Sequence, residues 1–173
     1  MKLTDHQLRF YETFGFLKFP GLFAIEAKHI EDEFEKVWAE TDMEDDHKSR
    51  SYIEPFVDRS EYLSRLLEHP RINAIVSSIL GYDYNYTSSD GNYFDGSTNW
   101  HSDQFPKEPY QSLKISFYLD FVTRDTGCLR VIPGSCHRGD RFTESLNEVV
   151  PLSRQNHNEE VWGVHGSEVP AYA

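Results

Sequence analysis

A histidine and an aspartate stand two positions apart in the stretch GSTNWHSDQ. On a β-strand, residues i and i+2 point to the same face, so the side chains of His101 and Asp103 are predicted to project side by side. An imidazole and a carboxylate on one face can supply two of the three protein ligands of a facial-triad metal site, which leaves coordination positions open. The same spacing occurs in ordinary surface His–Asp pairs, and the spacing alone leaves that alternative open.

The elements that precede this pair are predicted to be mainly helical, over residues 1–81. A first helix is expected to end at Gly15, and a second, amphipathic helix is expected from Ala24 to about Glu40. A further helical region runs through SEYLSRLLEHPRINAIVSSILG, in which Pro70 begins a new turn and Gly81 ends the helix.

The pattern changes to that of a β-rich core over residues 82–173. YDYNYTSS and LKISFYLDF alternate, and CLRVI lies between the turn sequences TRDTG and PGS, so each is predicted to be a strand. The polar stretch from Arg138 to Gly166 is predicted to be a long irregular loop, and SEVPAYA to begin another strand. Helices followed by antiparallel strands predict a single α+β domain over residues 1–173, with a sandwich or barrel of short strands.

The composition limits the classes of partner. The net charge of −12 argues against a protein that grips nucleic-acid phosphates or anionic membrane surfaces. No secretory signal and no apolar run of membrane-spanning length is found in the sequence. Cys128 and Cys136 are therefore expected to be free thiols in a reducing, cytoplasmic setting.

Three stretches resemble the phytanoyl-CoA dioxygenase family, in the family's order. They are GFLKFPGLF, GNYFDGSTNWHSDQ and LDFVTRDTGCLRVIPGSCHRGD. The family consists of non-haem iron, 2-oxoglutarate-dependent oxygenases, so the resemblance implies N-terminal helices packed on a double-stranded β-helix core of the jelly-roll, cupin-like kind. It further implies Fe(II) as the cofactor, 2-oxoglutarate as the co-substrate, and a small organic substrate and O2 as the partners.

The resemblance also assigns roles to particular residues. It identifies His101 and Asp103 with two of the metal ligands, and the retained carboxylate implies hydroxylation or another oxidation rather than halogenation. Asn92 and Ser116 are the candidates for polar contacts to 2-oxoglutarate, with ordinary polar surface residues as the alternative. Trp100, beside the pair, could form a wall of the pocket or belong to the core.

The family pattern requires a second histidine ligand on a later strand and, beyond it, an arginine that clamps 2-oxoglutarate. Neither is found before Ala173, so both are expected beyond that residue, and the β-core is expected to lack its last strands. His137, His157 and His165 do not follow the expected strand.

Three hypotheses result. The first is an Fe(II)/2-oxoglutarate-dependent dioxygenase that hydroxylates a small organic molecule and is incomplete in this chain. The second is a catalytically inactive β-helix module that binds a small molecule or a partner. The third is a fragment with unpaired sheet edges. The sequence predicts neither the substrate nor the oligomeric state.

Overall fold

The structure is a computed structural model that describes residues 2–41, 50–94, 100–101, 111–137, 139–146, 160–161, 164–165 and 168–173. The chain forms two compact units that interleave along the sequence. The first unit comprises Met1–Thr4, Phe19–Gly96 and Ile115–Phe121, and the second comprises Asp5–Lys18, Ser97–Lys114 and Val122–Ala173.

Short helices and very short strands make up the described part of the chain. The helices are α1 (Asp5–Phe14), α2 (Ala27–Ala39), α3 (Glu61–Leu66), α4 (Pro70–Leu80) and α5 (141–146), with a 3-10 turn at Val57–Arg59. The strands are β1 (Ser51–Ile53), β2 (Gly91–Tyr93), β3 (Glu160–Val161) and β4 (Val164–His165). None of these helices has the length and apolar character needed to cross a bilayer.

The predicted helices are confirmed, and their ends follow from local chemistry. Ser60 caps α3, because its hydroxyl oxygen accepts a hydrogen bond from the backbone N–H of Leu63 at 3.3 Å. Pro70 occupies the first position of α4, where its missing N–H costs nothing. Gly81 ends α4 with a φ of 83°, a left-handed value that favours glycine.

The core of the first unit lies between α2, α3 and α4. Its buried side chains on these helices are Ile30, Val37, Trp38, Leu63, Leu66, Ile72, Ile75 and Val76. Aromatic rings extend this core towards the β1–β2 pair, since the Phe34 ring lies 4.9 Å from that of Phe56 and 5.4 Å from that of Tyr93. Packing of this apolar face, more than intrinsic propensity, stabilises such short helices.

Arg71, on α4, fixes the turn that contains Pro20 and Gly21. Its Nη1 donates to the carbonyl oxygen of Leu22 at 2.5 Å and to the carboxylate of Glu26 at 3.2 Å. The guanidinium also lies over the buried ring of Phe23, 5.6 Å from its centroid. The FPGLF sequence is thereby held against the start of α4.

The first sheet is the antiparallel pair β1–β2, in which Tyr52 lies opposite Asn92 and Ile53 lies opposite Gly91. A Cβ atom at position 91 would meet the ring of Phe56 at 2.2 Å, so any side chain there would force the ring or the strand to move. The sequence does not predict β1, because three residues after the charged stretch TDMEDDHKSR carry too little periodicity to indicate a strand.

In the second unit, α1 ends at Gly15, as predicted, with a φ of 81°. A small core forms around Ile132, Leu146 and Val169. Val131 and Tyr172 form an isolated antiparallel bridge through two backbone hydrogen bonds of 2.9 and 2.8 Å. Among the described residues 168–173, Tyr172 pairs with Val131 in this bridge, in place of the strand expected to begin in SEVPAYA.

Several predicted strands are not seen. YDYNYTSS and LKISFYLDF form no β-ladder with any described residue, and within CLRVI only Val131 pairs. The expected long loop contains α5 and the two-residue pair β3–β4. The described residues thus form a mixed α+β structure with two small sheets, and the double-stranded β-helix is not seen among them. Alternation predicts an extended chain, but a ladder also needs a partner strand.

Candidate functional site

The histidine of the predicted metal pair follows a residue that belongs to the core. The Trp100 side chain packs against the cluster of Ile132, Leu146 and Val169, which favours the core interpretation of this tryptophan. His101, the next residue, is exposed. Asp103 lies outside the described residues, so its predicted position beside His101 stays a prediction.

Arg130 holds Trp100 in place. Its guanidinium carbon lies 5.3 Å from the centroid of the Trp100 ring, and its Nη2 donates to the carbonyl oxygen of Val169 at 2.9 Å. Its Nε is buried and has no hydrogen-bond partner. The sequence shows Arg130 only as an isolated arginine in CLRVI, so this contact with Trp100 could not be predicted.

Asn92, the first candidate for a 2-oxoglutarate contact, lies half-buried on β2 within a network of polar side chains. Its Oδ1 accepts from Nε of Arg50 at 2.6 Å, and its Nδ2 donates to Asp90 at 2.9 Å. Arg50 also forms an ion pair of 2.7 Å with Asp90, so the three side chains all contact one another. An amide oxygen has two lone pairs and an amide nitrogen two N–H groups, so Asn92 keeps the capacity to bind a ligand.

Ser116, the second candidate, lies exposed in the LKISFYLDF segment. The neighbouring side chain of Phe117 packs within the first unit, where its ring lies 5.3 Å from that of Phe23. Asn92 and Ser116 both belong to the first unit, whereas His101 belongs to the second.

His137 has a structural role in the turn that follows Pro133. Its Nε2 lies 2.9 Å from the carbonyl oxygen of Thr13, and the N–H of Gly134 donates to the carbonyl oxygen of Phe14 at 3.0 Å. Both bonds attach this turn to the last residues of α1. An imidazole whose Nε2 binds a carbonyl oxygen must use Nδ1 for any further partner.

The two cysteines carry no disulfide, as the sequence predicted. Cys136 packs against Gly15, where a Cβ atom would lie 2.4 Å from its Sγ. Partial burial raises the pKa of the Cys136 thiol, and the carboxylate of Asp140 raises it further. The thiol is therefore protonated at neutral pH and is a weak nucleophile.

The two proposed metal ligands, the imidazole of His101 and the carboxylate of Asp103, are of the kinds that bind Fe(II). Of the two, His101 lies among the described residues. An imidazole and a carboxylate suit a non-haem Fe(II) centre, and the side chain of His101 is exposed. Among the described residues, no three histidine, cysteine, aspartate or glutamate side chains form a group that could hold a metal ion.

Comparison with known proteins gives one match. The profile of the phytanoyl-CoA dioxygenase (PhyH) family matches residues 11–159, which include His101, Asp103, Asn92 and Ser116. No curated protein and no solved structure matches the chain. The family is one of oxygenases with a cupin-like fold. Since the match extends over most of the 173 residues, the chain belongs to the phytanoyl-CoA dioxygenase family.

Proposed function

We propose that this protein contributes to an Fe(II)/2-oxoglutarate-dependent dioxygenase that hydroxylates a small organic molecule. The observation that carries the proposal is the family match over residues 11–159, which contain an HxD pair at His101 and Asp103. The free thiols of both cysteines suit the reducing, cytoplasmic setting expected from the sequence.

The proposed roles follow from the chemistry of each side chain. His101 and Asp103 would hold Fe(II), through an imidazole nitrogen and a carboxylate oxygen. Iron bound there would let O2 oxidise both 2-oxoglutarate, to succinate and CO2, and a substrate C–H bond, to C–OH. Asn92 would donate its remaining amide N–H to 2-oxoglutarate, and the hydroxyl of Ser116 would donate a second hydrogen bond.

The HxD pair supplies two protein ligands, so a protein of residues 1–173 is expected to bind Fe(II) with low affinity and to turn over slowly. The test is an anaerobic calorimetric titration with Fe(II) in the presence of 2-oxoglutarate, followed by measurement of succinate formation in air. His101→Ala and Asp103→Asn should each abolish the binding heat. His6→Ala removes an exposed histidine of α1 and serves as the matched control.

Free imidazole offers a further test, because it can occupy an open coordination position on the metal. Millimolar imidazole should raise succinate formation by the wild-type chain and leave Asp103→Asn inactive. Iron binding that survives both substitutions in the HxD pair would refute the proposal.

The alternative is a catalytically inactive module that binds a small molecule. Such a module would bind 2-oxoglutarate or another small organic acid equally well with and without Fe(II). The calorimetric titration separates the two functions directly, because only the oxygenase makes co-substrate binding depend on the metal.

A further inference from the structure

Arg50, Asp90 and Asn92 form a closed ring of hydrogen bonds beside the β1–β2 pair. Nε of Arg50 donates to Oδ1 of Asn92 at 2.6 Å, and Nη2 of Arg50 donates to Oδ2 of Asp90 at 2.7 Å. The same oxygen of Asp90 accepts from Nδ2 of Asn92 at 2.9 Å. All three residues belong to the first unit, and the ring is partly shielded from water, since the side chain of Asp90 is 26% exposed and that of Arg50 44%.

This ring of hydrogen bonds allows one orientation of the Asn92 amide. If the amide were flipped, its NH2 group would face the Nε–H of Arg50, and its carbonyl oxygen would face the carboxylate of Asp90. Donor would then meet donor and acceptor would meet acceptor, so both hydrogen bonds of the amide would be lost. Both of these bonds involve a charged partner, which makes them stronger than neutral ones. Arg50 and Asp90 therefore fix which side of the amide carries the N–H groups.

The guanidinium of Arg50 is itself held by an aromatic ring. Its central carbon lies 4.7 Å from the centroid of the Tyr52 ring, a cation–π contact. Tyr52 lies directly opposite Asn92 in the β1–β2 register, so the strand pair brings the arginine, the ring and the amide to one place. A planar fork that donates to two acceptors while it stacks on an aromatic ring is a property of arginine that lysine does not share.

The orientation of Asn92 matters for the ligand proposed to bind it. 2-Oxoglutarate carries two carboxylates and a keto group, so at neutral pH its polar atoms accept hydrogen bonds and need donors from the protein. The Asn92 amide donates one N–H to Asp90, and its nitrogen has a second N–H for such a ligand. With the amide flipped, a carbonyl oxygen would take the place of that N–H and would repel a carboxylate.

We propose that Arg50 is a positioning residue for 2-oxoglutarate: through its hydrogen bonds to Asn92 and Asp90, it keeps the Asn92 amide in the orientation that presents an N–H to the co-substrate. Arg50 acts through Asn92 and makes no contact of its own with 2-oxoglutarate. This inference rests on the proposed function, from which it takes the role of Asn92. The property required at position 50 is the planar fork of a guanidinium, and a positive charge alone does not suffice.

Calorimetric titration of the protein with 2-oxoglutarate, at a fixed excess of Fe(II) and without oxygen, tests the role of the guanidinium. Arg50→Lys keeps the charge and removes the fork, so it should raise the dissociation constant of 2-oxoglutarate roughly tenfold. In the Asn92→Ala background the same substitution should change the constant no further, because Arg50 acts through the amide. Arg65→Lys is the matched control, since Arg65 is exposed and forms its ion pair with Glu61 on α3.

Exchange of the Asn92 side-chain amide protons with water is a second measurement, and it requires neither iron nor 2-oxoglutarate. In proton–nitrogen correlation spectra, these signals are assigned by their disappearance in Asn92→Ala. The proton that donates to Asp90 should exchange several-fold faster in Arg50→Lys than in the wild type, because the amide is no longer held on both sides. Arg65→Lys should leave the exchange rate unchanged.

Three results would overturn the inference about Arg50 alone. They are wild-type affinity for 2-oxoglutarate in Arg50→Lys, a further loss of affinity when Arg50→Lys is added to Asn92→Ala, and equal amide exchange in Arg50→Lys and the wild type. A wild-type protein that binds no 2-oxoglutarate in the presence of Fe(II) would refute the proposed function and the positioning role together, so the two failures are distinguishable.

Discussion

The guanidinium of Arg130 lies over the indole ring of Trp100, with 5.3 Å between the guanidinium carbon and the ring centroid. Because Arg130 also donates to the carbonyl oxygen of Val169, it joins three distant parts of the chain at one point. Trp100 directly precedes His101, so this contact fixes the backbone from which the candidate metal ligand projects.

Substitution of Arg130 should therefore destabilise the protein. Arg130→Ala removes the contact with the ring and the hydrogen bond to Val169, and we expect the free energy of unfolding to fall by about 1–3 kcal/mol. Arg130→Met should cost less, because it keeps the aliphatic packing and removes the buried Nε–H that has no partner. Urea unfolding monitored by tryptophan fluorescence measures both values.

Arg124→Ala is the control for this series, since Arg124 is exposed in a turn and its loss should change the free energy by less than about 0.5 kcal/mol. If Arg130→Ala were as neutral as Arg124→Ala, the contact with Trp100 would have no energetic role.

A methyl group at Gly91 should disturb the β1–β2 pair. Its Cβ would lie 2.2 Å from the buried Phe56 ring, so the ring or the strand must move. We expect Gly91→Ala to lower the free energy of unfolding by about 1–3 kcal/mol. The double variant Gly91→Ala/Phe56→Leu provides room for the methyl group. Its decrease in the free energy of unfolding, measured by urea denaturation, should therefore be smaller than the sum of the decreases in the two single variants. Additive losses would argue against a direct clash.

Glu33 should make stability depend on pH. Its carboxylate accepts a hydrogen bond from the Ser60 hydroxyl at 2.5 Å, and this bond, with a smaller effect of Lys36, holds the pKa of Glu33 below its ordinary value of 4.5. The pKa is lower in the folded state than in the unfolded state. This stabilisation is therefore present above the unfolded pKa and is lost as the pH falls through the folded pKa.

The measurement is the free energy of unfolding between about pH 6 and pH 3. As the pH falls, the free energy of unfolding should decrease less in Glu33→Gln than in the wild type, because the variant has no carboxylate to protonate at this position. Glu12→Gln, which removes an exposed carboxylate of α1, is the control for the loss of one carboxylate. Coincident profiles for the wild type and Glu33→Gln would contradict the assignment.

The Cys136 thiol should react slowly in the folded protein although it is exposed. Burial of part of the side chain raises its pKa, so less thiolate is present at neutral pH than in the unfolded chain. The pH midpoint of alkylation by iodoacetamide, followed by mass spectrometry of the peptide, should lie higher in native buffer than in urea. A midpoint that is equal or lower in native buffer would rule out this effect of burial.

The helices could be predicted from the sequence because their signals are local. Pro70 and Gly81 mark the ends of α4 in the sequence itself, and the hydrogen bonds of a helix lie within four residues of each other. The start of α5 carries a similar local signal in Asp140, which precedes the helix and accepts a hydrogen bond from the backbone N–H of Thr143 at 2.7 Å.

Strands depend on distant partners, which alternation does not specify. The pairing of Ile53 with Gly91 joins residues 38 positions apart. Nothing in the sequence around either residue indicates that the other is its partner. For the site, the types and spacing of His101 and Asp103 could be read from the chain, whereas the contacts of Trp100 and Asn92 with their arginines required the structure.

The attachment of the final residues to Val131 has a practical consequence for proteolysis. Val169 is 1% exposed and Tyr172 is hydrogen-bonded at both backbone groups, so residues 168–173 are held by the chain around position 131. One cut between residues 146 and 168 would thus yield two peptides that co-migrate under native conditions and separate only in denaturant. Two separately expressed fragments, divided between residues 146 and 168, should therefore associate when they are mixed.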